Sequence, residues 1–463
     1  MMRILLRSKR AAFFTALSAV LFSAACSDAP FVPVDSTPAL DARLRQAIAP
    51  WGVVPILPVN APDPALVSLG KMLFFDKVLS GNRDVSCGSC HSPTAHTGDD
   101  ASLAVGTGAT MSGGVRTLGT GRQFTPRNAP SLFSVGLRPF YMFWDGRVNE
   151  ELGPGRFNTP FGSALPSGVT SLLAAQAMIP VTNRVEMRGN AGDLDVFGNV
   201  NEIAQPADAQ VAQIWAAVMH RVLAIPAYVQ MFAAAYPSIT PDRLGFEHAA
   251  NAIAAFEMQT FTKTNSAFDR YLAHEDNALS LDAKRGALLF FTTARCSSCH
   301  NGPLLGAQNF TSVAVPQLGP GTGVAAPLDA GRGDETVSGP ARFPKFFFRV
   351  APLRNVELTA PYMHNGAYPT LEAVVRHYNN VDSAVKSYDV NQLPASLRSS
   401  YHGDAATVSA LLTSLDPRLQ QPIRLTADEQ RQIVAFLKSL TDPSARDLVG
   451  IAPTAVPSGL PVP

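Results

Sequence analysis

Two short stretches decide the fold of this chain, Cys87-Gly-Ser-Cys90-His91 and Cys296-Ser-Ser-Cys299-His300. Each places two cysteines three positions apart and a histidine directly after the second cysteine. In this pattern both thiols add to the vinyl groups of haem, and the adjacent histidine becomes the proximal ligand of the iron. The sequence therefore predicts two covalently bound haem c groups in one chain.

Cysteines at this spacing also occur in redox-active dithiols and in zinc sites. A redox dithiol of the thioredoxin type needs a surrounding βαβ pattern, which is not visible in the sequence. A zinc site does not explain why a histidine follows both second cysteines. Haem attachment is the interpretation that accounts for every residue of the two motifs.

The surroundings of the two motifs repeat as well. Gly70-Lys-Met-Leu-Phe-Phe75 precedes the first motif, and Gly286-Ala-Leu-Leu-Phe-Phe291 precedes the second. Leucines at helical spacing accompany both segments, and residues 211–222 and 426–440 show further amphipathic helix patterns. No convincing run of alternating strand residues appears. We predict a mostly α fold of two cytochrome c-like haem domains, with long irregular loops and little β structure.

Composition narrows the class of protein. The 463 residues include 37 Lys and Arg against 36 Asp and Glu, for a formal net charge of +1. Such a balance argues against a nucleic-acid partner held by positive charge. Hydrophobic residues make up 46% of the chain, enough for a sizeable core, while 37 prolines predict many irregular segments.

The first 25 residues are typical of a secretory signal peptide, because a basic start over residues 1–10 is followed by an apolar run over residues 11–25. Cys26 comes next, where bacterial lipoproteins carry their lipidated cysteine, although Ser23 stands where such signals usually have leucine. The alternative is ordinary cleavage after Ala25. We expect a periplasmic protein that is anchored through a lipid on Cys26, or is otherwise secreted to the periplasm.

Four further segments lie around the haem motifs: Leu69-Gly-Lys-Met-Leu-Phe-Phe-Asp-Lys-Val-Leu-Ser80, Arg127-Asn-Ala-Pro-Ser131, Phe143-Trp-Asp-Gly-Arg147 and Leu353-Arg-Asn-Val-Glu-Leu-Thr-Ala-Pro-Tyr-Met-His-Asn-Gly366. Together with the haem motifs they resemble the bacterial di-haem cytochrome c peroxidase family, including its MauG-like branch, from about Leu66 to Leu440. The resemblance implies an oxidoreductase that uses H₂O₂ as oxidant. Its electrons would come from a small redox protein, a cytochrome or cupredoxin, or from a protein substrate that it oxidises.

The resemblance also implies a division of labour between the two haems. The N-terminal haem, held by His91, reacts with peroxide, and the C-terminal haem, held by His300, relays electrons. The expected segments are a signal peptide (1–25), a linker (26–45), an N-terminal peroxidatic domain (46–204), a C-terminal electron-relay domain (205–445) and a flexible tail (446–463).

Three residues resemble the family's catalytic groups. Trp144 matches the aromatic bridge between the haems, although a tryptophan here also fits core packing. Gln176 and Glu186 match the distal pair, and Glu186 is the acid/base candidate because peroxide must lose a proton from one oxygen and gain one on the other. The alternative for Glu186 is a surface residue that is ion-paired with Arg184 and Arg188.

A calcium site between the haems is implied by the same resemblance. Asn128 and the backbone oxygens of Thr359 and Pro361 match its ligands, and hard oxygen ligands suit Ca²⁺. The alternative is that Asn128 caps a turn and the Thr-Ala-Pro segment is only structural. We therefore expect one Ca²⁺ in addition to the two haems.

The sixth ligand of the second haem is expected to be Tyr378, at a position that holds methionine in the peroxidases and tyrosine in MauG-like members. A phenolate favours oxidised iron, so tyrosine favours the storage of oxidising power. His377 and Met363 are competing ligands. Packing of Tyr378 on a haem edge is the remaining alternative.

The first haem is expected to keep an open distal side, since peroxide needs a free coordination position. His96 is the only histidine between His91 and Asn128, and it lies too close to His91 to reach the opposite face easily. Activation should then need no prior reduction. Two other functions stay open: a non-catalytic di-haem electron-transfer cytochrome, and a di-haem oxygenase of an organic substrate whose access the insertion over residues 153–174 would control.

Overall fold

The structure is a computed structural model that describes residues 37–112, 115–138, 140–306, 308–337 and 343–463. The predicted signal peptide and Cys26 lie outside these ranges. Short 3₁₀ turns and long loops join the helices. The α-helices of the described ranges are α1 (Thr37–Ile48), α2 (Pro64–Phe75), α3 (Cys87–Cys90), α4 (Leu172–Ala177), α5 (Val211–Leu223), α6 (Pro226–Ala235), α7 (Phe246–Phe261), α8 (Ala267–Leu272), α9 (Leu281–Phe291), α10 (Leu371–Asn379), α11 (Val381–Lys386), α12 (Ala405–Thr413) and α13 (Ala427–Ser439).

The strands of the described ranges are short and form four antiparallel pairs. Most are only two residues long, so they fix loops rather than build a sheet. The predicted mostly α fold with little β structure is confirmed. The pairs are β1 (Thr110–Ser112) with β2 (Val115–Thr117), β3 (Tyr141–Met142) with β4 (Val148–Asn149), β5 (Phe310–Thr311) with β7 (Phe348–Arg349), and β6 (Gln317–Leu318) with β8 (Tyr401–His402).

Each haem motif follows a helix that a later helix crosses closely. α2 packs against α7, and α9 packs against α13. A Cβ added at Gly70 would lie 1.9 Å from the carbonyl oxygen of Ala252, and one at Gly286 would lie 1.8 Å from that of Gln432. Because only glycine permits so close an approach, the repeat in the sequence is a repeated helix crossing in space.

Helices α5, α6 and α7 belong to the first hydrophobic core, not to a second domain that begins at residue 205. Trp215, Phe232 and Phe256 on these helices pack in the same cluster as Leu73 and Phe74 of α2. The second core contains buried residues of α8, α9 and α13. Although α7 follows the predicted boundary at residue 204, it covers the apolar face of α2 and so completes the first core.

Both ends of the described chain differ from the expected linker and tail. Helix α1 starts within the expected linker, and Leu44 is fully buried in the second core. In the expected flexible tail, Leu448, Val456 and Leu460 are buried against the first core. Proline-rich composition suggested mobility, but the apolar side chains between the prolines gain stability by burial.

The amphipathic helix predicted over residues 211–222 is α5. Its Trp215 and Met219 are buried in the first core. Among the described residues, no single helix combines the length and apolar character needed to cross a membrane. Helices α5 and α6 meet that criterion only as a pair, and the pair is bent by 106°.

Candidate functional site

The first motif lies at a cavity of about 460 Å³. Helix α3 is a single turn that begins after Ser86, whose backbone N–H donates to the Ser89 hydroxyl at 3.0 Å. This turn brings Cys87, Cys90 and His91 to the cavity wall. Such a cavity suits a large apolar group attached through the two thiols. Further lining is mostly apolar: Val85, Leu132, Phe143, Phe161, Ile179, Met187 and Ile253.

The ring nitrogens of both motif histidines are oriented for metal binding. Nδ1 of His91 lies 3.0 Å from the carbonyl oxygen of Thr97, and Nδ1 of His300 lies 3.0 Å from that of Leu305. A carbonyl oxygen only accepts, so Nδ1 carries the hydrogen and Nε2 keeps its lone pair. Burial lowers the pKa of both imidazoles and keeps them neutral. These histidines therefore fit the role of haem iron ligands.

The second motif lines a separate cavity of about 230 Å³ that contains Cys296, Cys299 and His300. Burial raises the pKa of the thiols in both motifs, to about 12 for Cys90 and for Cys296. Within the described ranges, no group of three or more His, Cys, Asp and Glu side chains is arranged to hold a metal ion. The geometry favours two haem sites over one shared zinc site.

Trp144 lies in the wall of both cavities. Its indole Nε1 donates a hydrogen bond of 2.9 Å to the carbonyl oxygen of Asn128. Its own carbonyl oxygen accepts from the backbone N–H of Arg349 at 2.8 Å. Trp144 is thus a fixed aromatic group between the two sites, rather than a residue of one core alone.

Gln176 and Glu186 both line the first cavity. Glu186 lies on a π-helical turn, Arg184–Arg188. The arginines at both ends of this turn bind Asp208, each at 2.7 Å, and neither forms an ion pair with Glu186. The alternative of a surface glutamate paired with its neighbours is therefore wrong, because the turn points the carboxylate and the guanidinium groups in different directions.

The electrostatics around Glu186 balance two effects. Burial raises the pKa of its carboxyl, and the positive charges of Arg147 and Arg127 act against that rise. Both arginines are anchored by Asp145, at 3.0 Å and 2.5 Å. Burial alone would raise the pKa of Asp145, but the two guanidinium groups hold it well below its usual range. The charge around the first cavity is thereby fixed in place.

Tyr378 and Met363 both line the second cavity. Burial and the nearby Cys299 and Cys296 raise the pKa of the Tyr378 phenol; a bound metal ion would lower it. His377 is fully engaged elsewhere: its Nδ1 lies 2.8 Å from the Tyr368 hydroxyl, and its Nε2 lies 2.8 Å from the carbonyl oxygen of Val313. His377 is therefore a structural residue, and Tyr378 and Met363 remain the competing ligands.

The three residues expected to bind calcium are brought together. Asn128, Thr359 and Pro361 all line the second cavity, and Asn128 also reaches the first. The Asn128 side-chain amide donates to the carbonyl oxygen of Ala101 at 2.8 Å, which directs its Nδ2 toward that loop. The Asn128 side-chain oxygen, on the other side of the amide, is the group that suits a cation.

His96 does not line either cavity. Its Nε2 lies 3.4 Å from the carbonyl oxygen of Arg446, in the C-terminal segment. The insertion over residues 153–174 does reach the first cavity, where Pro160 and Phe161 form part of the wall. The Phe161 ring meets Trp215 edge to face at 4.9 Å, so this part of the insertion packs on the core.

Asn183 and Glu257 are polar residues of the first cavity that the sequence did not predict. Asn183 donates through Nδ2 to Oε1 of Glu186 at 3.2 Å; an asparagine before a helical turn is its only local signal. Glu257 of α7 lines the first cavity, and burial raises the pKa of its carboxyl to about 8 against the opposing charge of Arg138. Its position follows from the packing of α7 on α2, which no local pattern reveals.

Comparisons with known proteins agree with this geometry. A family model described as di-haem cytochrome c peroxidase matches residues 64–277. The cytochrome c551 peroxidase of Pseudomonas aeruginosa is 30% identical over 357 residues, which cover 77% of this chain and 80% of that protein. The chain belongs to the di-haem cytochrome c peroxidase family. The predicted family is confirmed.

This di-haem peroxidase is also similar to the methylamine utilization protein MauG of Methylorubrum extorquens, at 29% identity over 357 residues, or 76% of this chain and 79% of that protein. A solved structure of a MauG-like protein associated with microbial copper homeostasis matches with a TM-score of 0.56 at 25% identity. It covers 85% of this chain and 94% of the other. The protein is an oxidoreductase of the peroxidase kind with two haem c groups, as the motifs and the resemblance predicted.

Proposed function

We propose that this peroxidase reduces H₂O₂ to water in the cavity beside His91 and draws electrons through the second haem site. The observation that carries the proposal is Trp144, which lines both cavities and is held by hydrogen bonds at Nε1 and at its backbone oxygen. Haem iron, when bound, supplies the centre that accepts peroxide and exchanges electrons. Each H₂O₂ takes up two electrons and two protons and yields two waters.

Glu186 transfers the proton of peroxide in this reaction. Its carboxylate accepts the proton of the peroxide oxygen that binds, and returns it to the oxygen that leaves as water. Gln176 lines the same cavity and, as a neutral amide, orients peroxide by hydrogen bonding without taking its proton. A proton-accepting carboxylate and a neutral amide in one cavity are a suitable pair for this step.

Tyr378 in the second cavity indicates where the electrons come from. His300 and Tyr378 line the same cavity and would hold the iron of the second haem. A tyrosine ligand would favour the oxidised state, which suits MauG-like oxidation of a protein substrate. A small cytochrome or cupredoxin as donor would instead give simple peroxide removal. We favour the protein substrate, because Tyr378, the expected ligand, lines the second cavity.

We further propose a periplasmic location, with a signal peptide over residues 1–25 that directs export and a lipid anchor on Cys26. Export fits the two haem motifs, because covalent haem matures outside the cytoplasm.

We also propose one Ca²⁺ held by Asn128 and the backbone oxygens of Thr359 and Pro361. If this site is correct, treatment with a chelator should lower peroxidase activity, and added Ca²⁺ should restore it. Activity that resists chelation in metal-free buffer would contradict the calcium site.

The test of the peroxidase proposal is spectroscopic. The ferric holoprotein should show one high-spin signal by electron paramagnetic resonance, and mixing with H₂O₂ should change its absorbance within milliseconds to seconds. Two low-spin haems that do not respond to peroxide would favour the electron-transfer cytochrome. Oxygen uptake with an organic substrate, in the absence of peroxide, would favour the oxygenase.

A further inference from the structure

The side chain of Asn183 is bound at both ends. Its Oδ1 accepts hydrogen bonds from the backbone N–H groups of Val185 at 2.9 Å and Glu186 at 3.3 Å. Its Nδ2 donates to Oε1 of Glu186 at 3.2 Å. Because an oxygen must face the two N–H groups, the amide has only one orientation, and the donor end faces the carboxylate.

We propose that Asn183 is a positioning residue that holds the Glu186 carboxylate in its proton-accepting state and leaves Oε2 to exchange the proton. This inference rests on the proposed role of Glu186 in peroxide reduction. A hydrogen bond donated to a carboxylate stabilises the ionised form. An amide donor does so without a proton of its own to lose, so its effect does not change with pH.

The other groups that face Glu186 do not provide this contact. Arg147 and Arg127 act on its charge, but no ion pair within 4 Å joins either of them to Glu186 in the described part of the chain. Cys90 of α3 also lies near the carboxylate, and in the holoprotein it is a neutral thioether. Backbone packing holds the turn itself, since the carbonyl oxygen of Glu186 accepts from the N–H of Thr107 at 2.9 Å.

The turn also depends on Asn183, so the test must separate capping from the bond to Glu186. Asn183→Asp keeps an oxygen for the two N–H groups, and aspartate caps helices as well as asparagine. It replaces the donor by an oxygen and places a like charge beside Glu186. Asn183→Ser keeps a capping hydroxyl and removes the donor without adding charge.

A matched control is Asn380→Asp. Asn380 begins α11, where its side-chain oxygen accepts from the N–H of Ser383 at 3.2 Å. The same exchange is made there at a helix start that lines neither cavity. Any effect of replacing an asparagine cap by aspartate in general would appear in both proteins.

The measurement is the rate at which cyanide binds to the ferric holoprotein between pH 4 and 9, followed by absorbance. Hydrogen cyanide gives its proton to Glu186 as it binds, so the rate should fall as Glu186 becomes protonated. The acid limb is the pH range in which the rate falls as the pH decreases. In Asn183→Asp this limb should move up by one pH unit or more, so that the rate at a given pH on the limb is about tenfold lower than in the wild type. Asn183→Ser should shift it by less in the same direction, and Asn380→Asp should match the wild type.

An acid limb that coincides in wild type, Asn183→Asp and Asn183→Ser would overturn the inference, as would an acid limb that persists in Glu186→Gln. Should Asn183→Asp fail to fold, Asn183→Ser alone decides between the two results. A wild type that shows the limb but does not consume H₂O₂ would refute the proposed peroxidase function and leave the role of Asn183 intact.

Discussion

The carboxylate of Glu186 faces the first cavity with Asn183 as its hydrogen-bond donor, whereas the arginines on either side of it in sequence bind Asp208. His377 is next to Tyr378 in sequence, yet both of its ring nitrogens are occupied. In both cases the partners of a side chain, rather than its chemical type, decide whether it is available for chemistry.

Glu186→Gln should leave haem content unchanged and slow peroxide consumption about a hundredfold, because glutamine cannot accept the peroxide proton. Steady-state kinetics with H₂O₂ on protein of equal haem content measures the effect. Glu275→Gln is a suitable control, since Glu275 is exposed and pairs with Arg270 at 3.5 Å. An unchanged rate in Glu186→Gln would remove Glu186 from the mechanism.

Tyr378→Met should raise the midpoint potential of the second haem, because a thioether stabilises reduced iron more than a phenolate does. A spectroelectrochemical titration of the holoprotein measures the shift. In Tyr388→Met the potential should stay near that of the wild type, since Tyr388 does not line the second cavity. No shift in Tyr378→Met would leave Met363 as the better ligand candidate.

At the scale of helices, the same arrangement occurs twice. Each haem motif follows a helix with a glycine at its crossing point, Gly70 in α2 and Gly286 in α9. The repeated sequence predicted two modules, but it did not predict which later helix completes each of them. The partners α7 and α13 lie far along the chain, so their packing depends on long-range contacts that no local pattern encodes.

Gly70→Ala should lower the free energy of unfolding by about 1–3 kcal/mol, because the added methyl group meets the backbone of Ala252 and forces α2 and α7 apart. Thermal or denaturant unfolding of the holoprotein measures the loss. Gly450→Ala is the matched control, since an added Cβ there meets nothing within 4 Å. Equal stability of both variants would show that the two helices can separate without cost.

Over the whole molecule, each end of the described chain crosses to the other module. Helix α1 packs on the second core, and Lys284 of α9 binds its Asp41 at 2.8 Å. The C-terminal segment packs on the first core, where the Ser458 hydroxyl donates to Asp76 at 2.6 Å. Each end of the described chain thus packs on the module that is farther from it in sequence.

Trp144→Phe should weaken the electronic coupling between the two haems, because the smaller ring lacks the Nε1 donor that binds Asn128. In a redox titration the two haems should then behave more independently, and freeze-quench spectra after H₂O₂ addition should show slower response of the second haem. Trp51→Phe is the control, since Trp51 lines neither cavity. Coupling equal to that of wild type in Trp144→Phe would exclude the bridge.

The two haem attachment motifs, the family and the helical class could be predicted from local patterns, because a Cys-x-x-Cys-His motif and a helix period each lie within a short stretch of the chain. The sequence also named Trp144, Gln176, Glu186 and Tyr378 through resemblance. Four features became visible only in the folded chain: Trp144 lines both cavities, Asn183 donates to Glu186, Glu257 lines the first cavity, and α7 packs in the first core. These features arise where segments distant in sequence bury apolar surface against each other, and that contact has no local sequence signature.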